Sequence, residues 1–156
     1  MDKTLTLHPK IRTEVANLVN YINTNILTGS AKVKISQGLR TFAEQDALYL
    51  QRPRVTKAKG GDSIHNYGLA VDIVLIIDGK VAVWDTKKDF DKDLQADWME
   101  VTNYFKSKGW KWGGDFKSLY DAPHFEMTFG HSPKTLKALI DKKNVIIDNG
   151  ITYPNI

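Results

Sequence analysis

The chain has 156 residues, no cysteine, 42% hydrophobic and 26% charged residues, and a net charge of +4. That length suits one domain with its own core, and the absence of cysteine excludes a disulfide framework, a thiol nucleophile and any thiolate-bound metal. The composition excludes a disordered or membrane-embedded chain, while the mild cationic excess suits attraction to an anionic polymer such as cell wall, acidic lipid or nucleic acid.

The segment Met1-Asp2-Lys3-Thr4 leads into a polar helical pattern without the basic start and apolar stretch of a secretory signal, so a cytoplasmic starting point is expected. Residues 9 to 27 read as an amphipathic helix. Pro9 suits its first turn, Ile11, Val15, Leu18, Val19, Ile22 and Ile26 share one face, and Gly29 ends it. Val33 and Ile35 alternate with polar neighbours over Lys32 to Ser36, which predicts a short half-buried strand. Thr41 and Glu44 then have capping-box spacing, opening a helix to about Gln51 and leaving Arg40 at the strand-to-helix junction.

Pro53, Gly60, Gly61 and several cations mark residues 52 to 62 as a mobile loop. Val71 to Ile77 is an apolar strand interrupted only by Asp72, and Asp78-Gly79 has hairpin chemistry that returns the chain through Val81, Val83 and Trp84. Past an acidic loop, Leu94, Trp98, Val101 and Phe105 predict a helix stopped by Gly109. Trp110 and Trp112 alternate, as do Phe125, Met127 and Phe129, and both sets read as strands. Ser132-Pro133 starts a last helix, and the tail from Val145 to Ile151 suits a hairpin whose packing nothing in the pattern fixes. Segregated helices and hairpins predict an α+β fold with a small antiparallel sheet and flanking helices, in one domain over residues 1–156.

The most informative segment is Ser63-Ile64-His65-Asn66-Tyr67-Gly68-Leu69-Ala70-Val71-Asp72, followed some fifty residues later by Asp121-Ala122-Pro123-His124-Phe125-Glu126. A catalytic zinc takes three imidazole or carboxylate ligands and keeps a fourth position open for water. His65, Asp72 and His124 can supply those three, leaving Asp121 free to accept a proton. Singly, each has a plainer reading: Asp72 as a turn cap or lysine partner, His65 as a loop histidine, His124 as the head of an apolar strand. Asp72 is the oddest placement, because a carboxylate inside an apolar strand needs a cation or several donors to offset desolvation. His8 and His131 lie at helix boundaries without such surroundings.

Ser63-x-His65-x-x-Gly68-x-Ala70-x-Asp72, joined with Asp121-x-Pro123-His124-Phe125-Glu126, resembles the M15 zinc peptidases. That family includes D-alanyl-D-alanine carboxypeptidases, related dipeptidases and the L-alanyl-D-glutamate endolysins of phages. Gly38 to Tyr49 resembles the endolysin-like branch, and the likeness runs from about Ile35 to Phe129. It implies a D-Ala-D-Ala carboxypeptidase/Hedgehog-like fold, one Zn²⁺ on His65, Asp72 and His124, and Asp121 as general base. It further implies Arg40 on the substrate's carboxylate or carbonyl oxygen, Ser63 on substrate or a ligand, Glu126 orienting a histidine, and Gly68 and Ala70 leaving room near the metal.

The carboxypeptidase branch commonly has Glu where Asp121 stands. The resemblance therefore favours an L-alanyl-D-glutamate endopeptidase over a D,D-carboxypeptidase or dipeptidase. A non-catalytic wall binder would be expected to lack at least one of His65, Asp72, Asp121 or His124. The implied partner is the peptidoglycan stem peptide, met as a monomer without nucleic acid or stable membrane association. Such an endolysin waits in the host cytoplasm until a holin opens the membrane, with its positive charge as the wall-seeking device.

Asp89, Asp91, Asp93, Gln95, Asp97 and Glu100 occupy the first, third, fifth, seventh, ninth and twelfth places of a calcium-loop pattern. Leu94 stands where that loop needs Gly, and the favoured expectation is no Ca²⁺ but the acidic first turns of the helix that ends at Gly109. Trp110, Trp112 and Tyr120 could wall a substrate groove, though strand spacing favours core for at least one tryptophan. Arg52, Arg54, Lys57 and Lys59 read as a solvated basic loop that could touch anionic wall polymer. No helix-turn-helix or phosphate loop is present, so nucleic-acid binding rests on charge alone.

Overall fold

The computed structural model describes residues 1–156. Helix α1 spans Pro9–Tyr21 and continues as a π turn over Ile22–Ile26. Ile11, Val15, Leu18 and Ile22 line its buried face at helical spacing, with Pro9 at the first turn and His8 as N-cap. Strand β1, Ala31–Gln37, alternates buried and outward residues up to a register shift between Ile35 and Gln37. Helix α2, Phe42–Leu50, opens on the capping box formed by Thr41 and Glu44.

Strand β2, Ala70–Ile77, is the centre of the sheet. It pairs antiparallel with β1 along nearly its whole length, with β5 (His124–Glu126) over Ala70–Asp72, and with β3 (Val81–Val83) over Leu75–Ile77. Asp78 and Gly79, at φ 51° and 69°, make the hairpin between β2 and β3. Strand β4, Lys111–Trp112, adds to the outer edge of β5. The result is a five-stranded antiparallel sheet with flanking helices, an α+β fold. Leu69, Val71, Ile73, Leu75 and Phe125 pack with the apolar face of α1 and with Trp98, Val101 and Phe105 of α3 (Asp97–Ser107).

Helix α4, Pro133–Asp141, precedes a separate hairpin of β6 (Val145–Asp148) and β7 (Ile151–Pro154). Its packing is set by residues far away in sequence. His8 Nε2 donates to the Pro154 carbonyl at 2.9 Å, Tyr153 Oη donates to the Thr6 carbonyl at 2.8 Å, and Arg12 pairs with Asp148 at 2.7 Å. The chain ends are thereby fastened together over the start of α1. No helix is long and apolar enough to cross a membrane.

Two expectations need correction. Of the acidic stretch only Asp97 and Glu100 lie in the first turn of α3, which begins at Asp97; residues 89 to 96 form a loop in which Leu94 is 95% exposed at φ 75°. Met127 and Phe129 lie beyond β5, whose pairing ends at Glu126, and Phe129 takes φ 51°. Both tryptophans are buried, where strand spacing favoured core for at least one: Trp110 Nε1 donates to Glu14 and Trp112 Nε1 donates to the Ala122 carbonyl. Only Tyr120 stays exposed. The loop over residues 52–62 has no regular element, yet its second half is tied down by Gly60 N–H to Asp46 and Gln45 Nε2 to the Ala58 carbonyl.

Candidate metal centre

The antiparallel register places Asp72 directly opposite His124. His65 comes from a 3-10 turn, Ile64–Tyr67, that ends at Gly68 in the left-handed conformation, φ 70°. A Cβ on Gly68 would lie 2.7 Å from the His8 nitrogen, so both conformation and space demand glycine there. The sharp exit sends the chain into β2 with the His65 and Asp72 side chains facing each other.

Three atoms converge. His65 Nε2 lies 3.2 Å from Asp72 Oδ1, His124 Nδ1 lies 3.4 Å from the same oxygen, and the two nitrogens are 3.2 Å apart. Ligands bound at 2.0–2.1 Å to a tetrahedral centre sit roughly 3.3 Å apart, close to this spacing. The other ring nitrogens have acceptors. His65 Nδ1 donates to the Gly38 carbonyl at 2.8 Å, and His124 Nε2 donates to Glu126 Oε2 at 2.8 Å. Those partners assign the tautomers, so each neutral imidazole turns a lone pair towards the carboxylate oxygen. Three electron-rich atoms aimed at one point repel each other unless a cation joins them. The donor set therefore fits a divalent metal ion.

The electrostatics agree. Burial works to raise Asp72, but the facing rings of His124 and His65 outweigh it and hold the carboxyl well below its usual range. Burial likewise opposes charge on His124, yet Asp72 and Glu126 push it up to about 9. The centre favours positive charge.

A cleft of about 310 Å³ opens onto these residues and is lined by Arg40, Leu48, Ser63, Leu119 and Asp121 among others. A larger hollow, about 560 Å³, lies by Met1, Val19 and Val33 and has no convergent ligand set. Asp121 is held by its backbone, its N–H donating to Gly113 and its carbonyl accepting from His124 N–H. Gly113 is needed for that approach, since a Cβ there would overlap the Asp121 carbonyl. Burial, followed by the charge of Asp72, pushes the Asp121 carboxyl up, against the pull of His124, His65 and Arg40.

Arg40 Nη1 donates to Gln45 Oε1 at 2.9 Å, and its backbone N–H donates to the His65 carbonyl at 3.0 Å. Ser63 is the N-cap of the 3-10 turn, its Oγ accepting from His65 N–H at 3.3 Å while lining the same cleft. All seven singled-out residues thus lie in or beside one site. Three further residues shape it without having been marked by the sequence. The Gly38 carbonyl fixes the His65 ring, fully buried Gln45 fixes Arg40, and Asn66 spans Arg40, Gly61 and Ser63. Asn66 lay inside the motif, and Gln45 sat one residue after the capping-box Glu. A backbone carbonyl leaves no residue-type signal.

Residues 56–127 match the M15 peptidase family model described as D-alanyl-D-alanine carboxypeptidase. Over 100 residues it is 45% identical to the peptidoglycan L-alanyl-D-glutamate endopeptidase CwlK of Bacillus subtilis, covering 61% of this chain and 60% of that relative. The chain thus matches less than two thirds of that protein's length. The crystal structure of the Serratia marcescens L-Ala D-Glu endopeptidase ChiX superposes with a TM-score of 0.56 at 26% identity, covering 81% of this chain and 84% of that one.

Proposed function

We propose that residues 1–156 form a single zinc peptidase domain that cleaves the peptidoglycan stem peptide between L-alanine and D-glutamate. The observation that carries this reading is the convergence of His65 Nε2, Asp72 Oδ1 and His124 Nδ1 on one point, with Asp121 and Arg40 on the wall of the same cleft. The likeness to two L-alanyl-D-glutamate endopeptidases supports this choice of bond. The family model's carboxypeptidase description motivates the competing product in the test below.

His65, Asp72 and His124 would hold one Zn²⁺, with the Gly38 carbonyl and Glu126 steadying the two rings. When bound there, zinc supplies a Lewis acid for the amide carbonyl and lowers the pKa of water. Asp121 takes the proton of the attacking water and returns it to the leaving amine nitrogen. Its raised pKa suits the first half of this role, because a carboxylate whose pKa lies nearer the working pH takes up a proton more readily. Arg40, anchored by Gln45, presents its remaining N–H groups to the carbonyl oxygen or a substrate carboxylate. Ser63 keeps His65 in place through the turn it caps and offers its hydroxyl to the cleft. The likeness of Gly38 to Tyr49 to endolysins adds a finer reading, in which the enzyme reaches the wall after holin-dependent release from a host cytoplasm.

Digestion of purified sacculi with zinc-loaded protein tests the reaction. Mass spectrometry should find new N-terminal D-glutamate on the stem peptides. Released D-alanine would instead assign a D,D-carboxypeptidase, and intact sacculi would remove the peptidase reading.

A further inference from the structure

We propose that the loop from Asp89 to Glu100 is a calcium site separate from the His65–Asp72–His124 centre. One carboxylate oxygen from each of Asp89, Asp91 and Asp97 lies within 4.8 Å of the others, and the same holds for Asp91, Asp93 and Glu100. Oxygens bound to a single Ca²⁺ at 2.3–2.6 Å are at most roughly 5 Å apart, so each group fits around one ion. Asp91 belongs to both.

An acidic cluster alone does not make a site, but Asp97 adds a second observation. It is fully buried, and while Oδ1 accepts from Phe90 N–H at 2.8 Å, Oδ2 is sealed from solvent with no hydrogen-bond partner. One helical turn on, Glu100 Oε2 is equally bare. None of the five carboxylates forms a salt bridge with Lys or Arg. Buried acceptors are normally satisfied, and a buried carboxylate oxygen facing only other carboxylates demands a cation.

Helix-end electrostatics do not account for them. Ala96 is the N-cap of α3 and makes no side-chain capping bond, and Asp97 spends its bonded oxygen on Phe90 rather than on the helix amides. The backbone is instead wrapped around Asp89, whose Oδ1 accepts from Lys92 N–H at 2.6 Å and Oδ2 from Leu94 N–H at 2.8 Å. Leu94, at the sixth place of the pattern, has φ 75°, the conformation for which calcium loops use glycine. Oxygen-only donors of high charge select a hard cation. The number of carboxylates and the flexible loop suit Ca²⁺ better than Mg²⁺, which keeps most of its water.

The ion would fasten the β3-to-α3 connection to the turn before β1. Thr28 Oγ1 donates to Asp91 Oδ2 at 2.9 Å, and Gly29 lets Asp91 pack so closely that a Cβ there would lie 2.7 Å from the Asp91 Cβ. Because α3 carries Trp98, Val101 and Phe105 into the core, calcium is expected to stabilise the whole domain.

The test uses the full chain stripped of metal, reloaded with one equivalent of zinc, and titrated with CaCl₂ or MgCl₂. Calorimetry should show one calcium per chain, and calcium a hundredfold above its Kd should raise Tm by roughly 5–10 °C, with a smaller rise for magnesium. The double variant Asp97→Asn/Glu100→Gln should lose the calcium response, while its calcium-free Tm is no lower than that of the parent protein because two unpaired charges are gone. No heat and no Tm shift with calcium up to about 10 mM, above the range of the weakest such loops, would overturn the proposal. So would an undiminished calcium response in a folded double variant.

Discussion

Glu126 Oε2 lies 2.8 Å from His124 Nε2, two residues along the same strand, and through that contact turns His124 Nδ1 towards Asp72 and His65. A ring nitrogen that donates to a carboxylate is both more basic and fixed in orientation at its other nitrogen. Glu126→Gln keeps the size but removes the charge. Zinc affinity is expected to fall roughly 10- to 100-fold, as for other partners of metal-bound histidines. With saturating zinc, the variant should recover most of its turnover. Competition against a chelator of known affinity measures the first effect, and unchanged zinc affinity would remove Glu126 from this positioning role.

Asp121→Asn separates proton transfer from metal holding. Asp121 lines the cleft but is not one of the three convergent ligands, so the variant should bind one zinc per chain with near-parental affinity. Turnover on sacculi should drop by roughly 10²–10⁴, the usual contribution of a general base. Thermal stability should not fall, because the parent carboxyl is disfavoured by burial and by Asp72. Near-normal turnover in the zinc-loaded variant would assign the proton step elsewhere.

Much of this site is legible in the chain because the ligands are rare residues in unusual settings. Asp72 interrupts an apolar strand, and His124 heads another. What the pattern cannot give is the β2–β5 register that sets them opposite each other, or the irregularity between Ile35 and Gln37 in β1, just before the Gly38 carbonyl that meets His65. Those depend on long-range pairing and on backbone atoms that every residue shares. The start of α3 was misplaced because Leu94 fits the apolar helical period. The claims of the carboxylates on the preceding loop override that period and leave Leu94 in solvent. The C-terminal hairpin is expected from the tail between Val145 and Ile151, but its docking rests on His8, Tyr153 and Arg12, whose partners lie at the opposite end of the chain.

Gly68 and Gly79 offer a matched pair for measuring how tightly the His65 turn is packed. Both have φ near 70°, at 70° and 69°, so alanine pays a similar conformational cost at each. At Gly79 nothing lies within 4 Å of the added Cβ, and Gly79→Ala should cost about 1 kcal/mol. At Gly68 the Cβ would meet the His8 nitrogen at 2.7 Å and the Tyr153 ring at 3.2 Å, so Gly68→Ala should cost about 3 kcal/mol. Urea denaturation of the two variants checks this, and equal losses would show that the backbone near His8 yields without cost.

His8 should make the domain acid-sensitive. Its ring is fully buried and both nitrogens are used in the neutral form, Nε2–H donating to Pro154 and Nδ1 accepting from Lys10 N–H at 3.1 Å. Burial first, then the cations Lys10 and Arg12, lowers its pKa below the ordinary 6.5, against the pull of the Pro154 carbonyl. A histidine lowered on folding binds fewer protons in the native than in the unfolded state. Its stabilising contribution is therefore complete above the unfolded pKa and is lost as pH falls below it towards the folded value. His8→Gln has no such proton to gain. At pH 7.5 the variant should be less stable by about 1 kcal/mol, for the hydrogen bonds it makes less well. That gap should narrow as the pH is lowered from 6.5 to 5, because only the parent protein pays for excluding the proton. Every other group is common to both proteins and cancels in the difference. Urea denaturation of both chains across this range measures the gap, and a gap that stays constant would show that His8 accepts a proton in the folded state as readily as in the unfolded one.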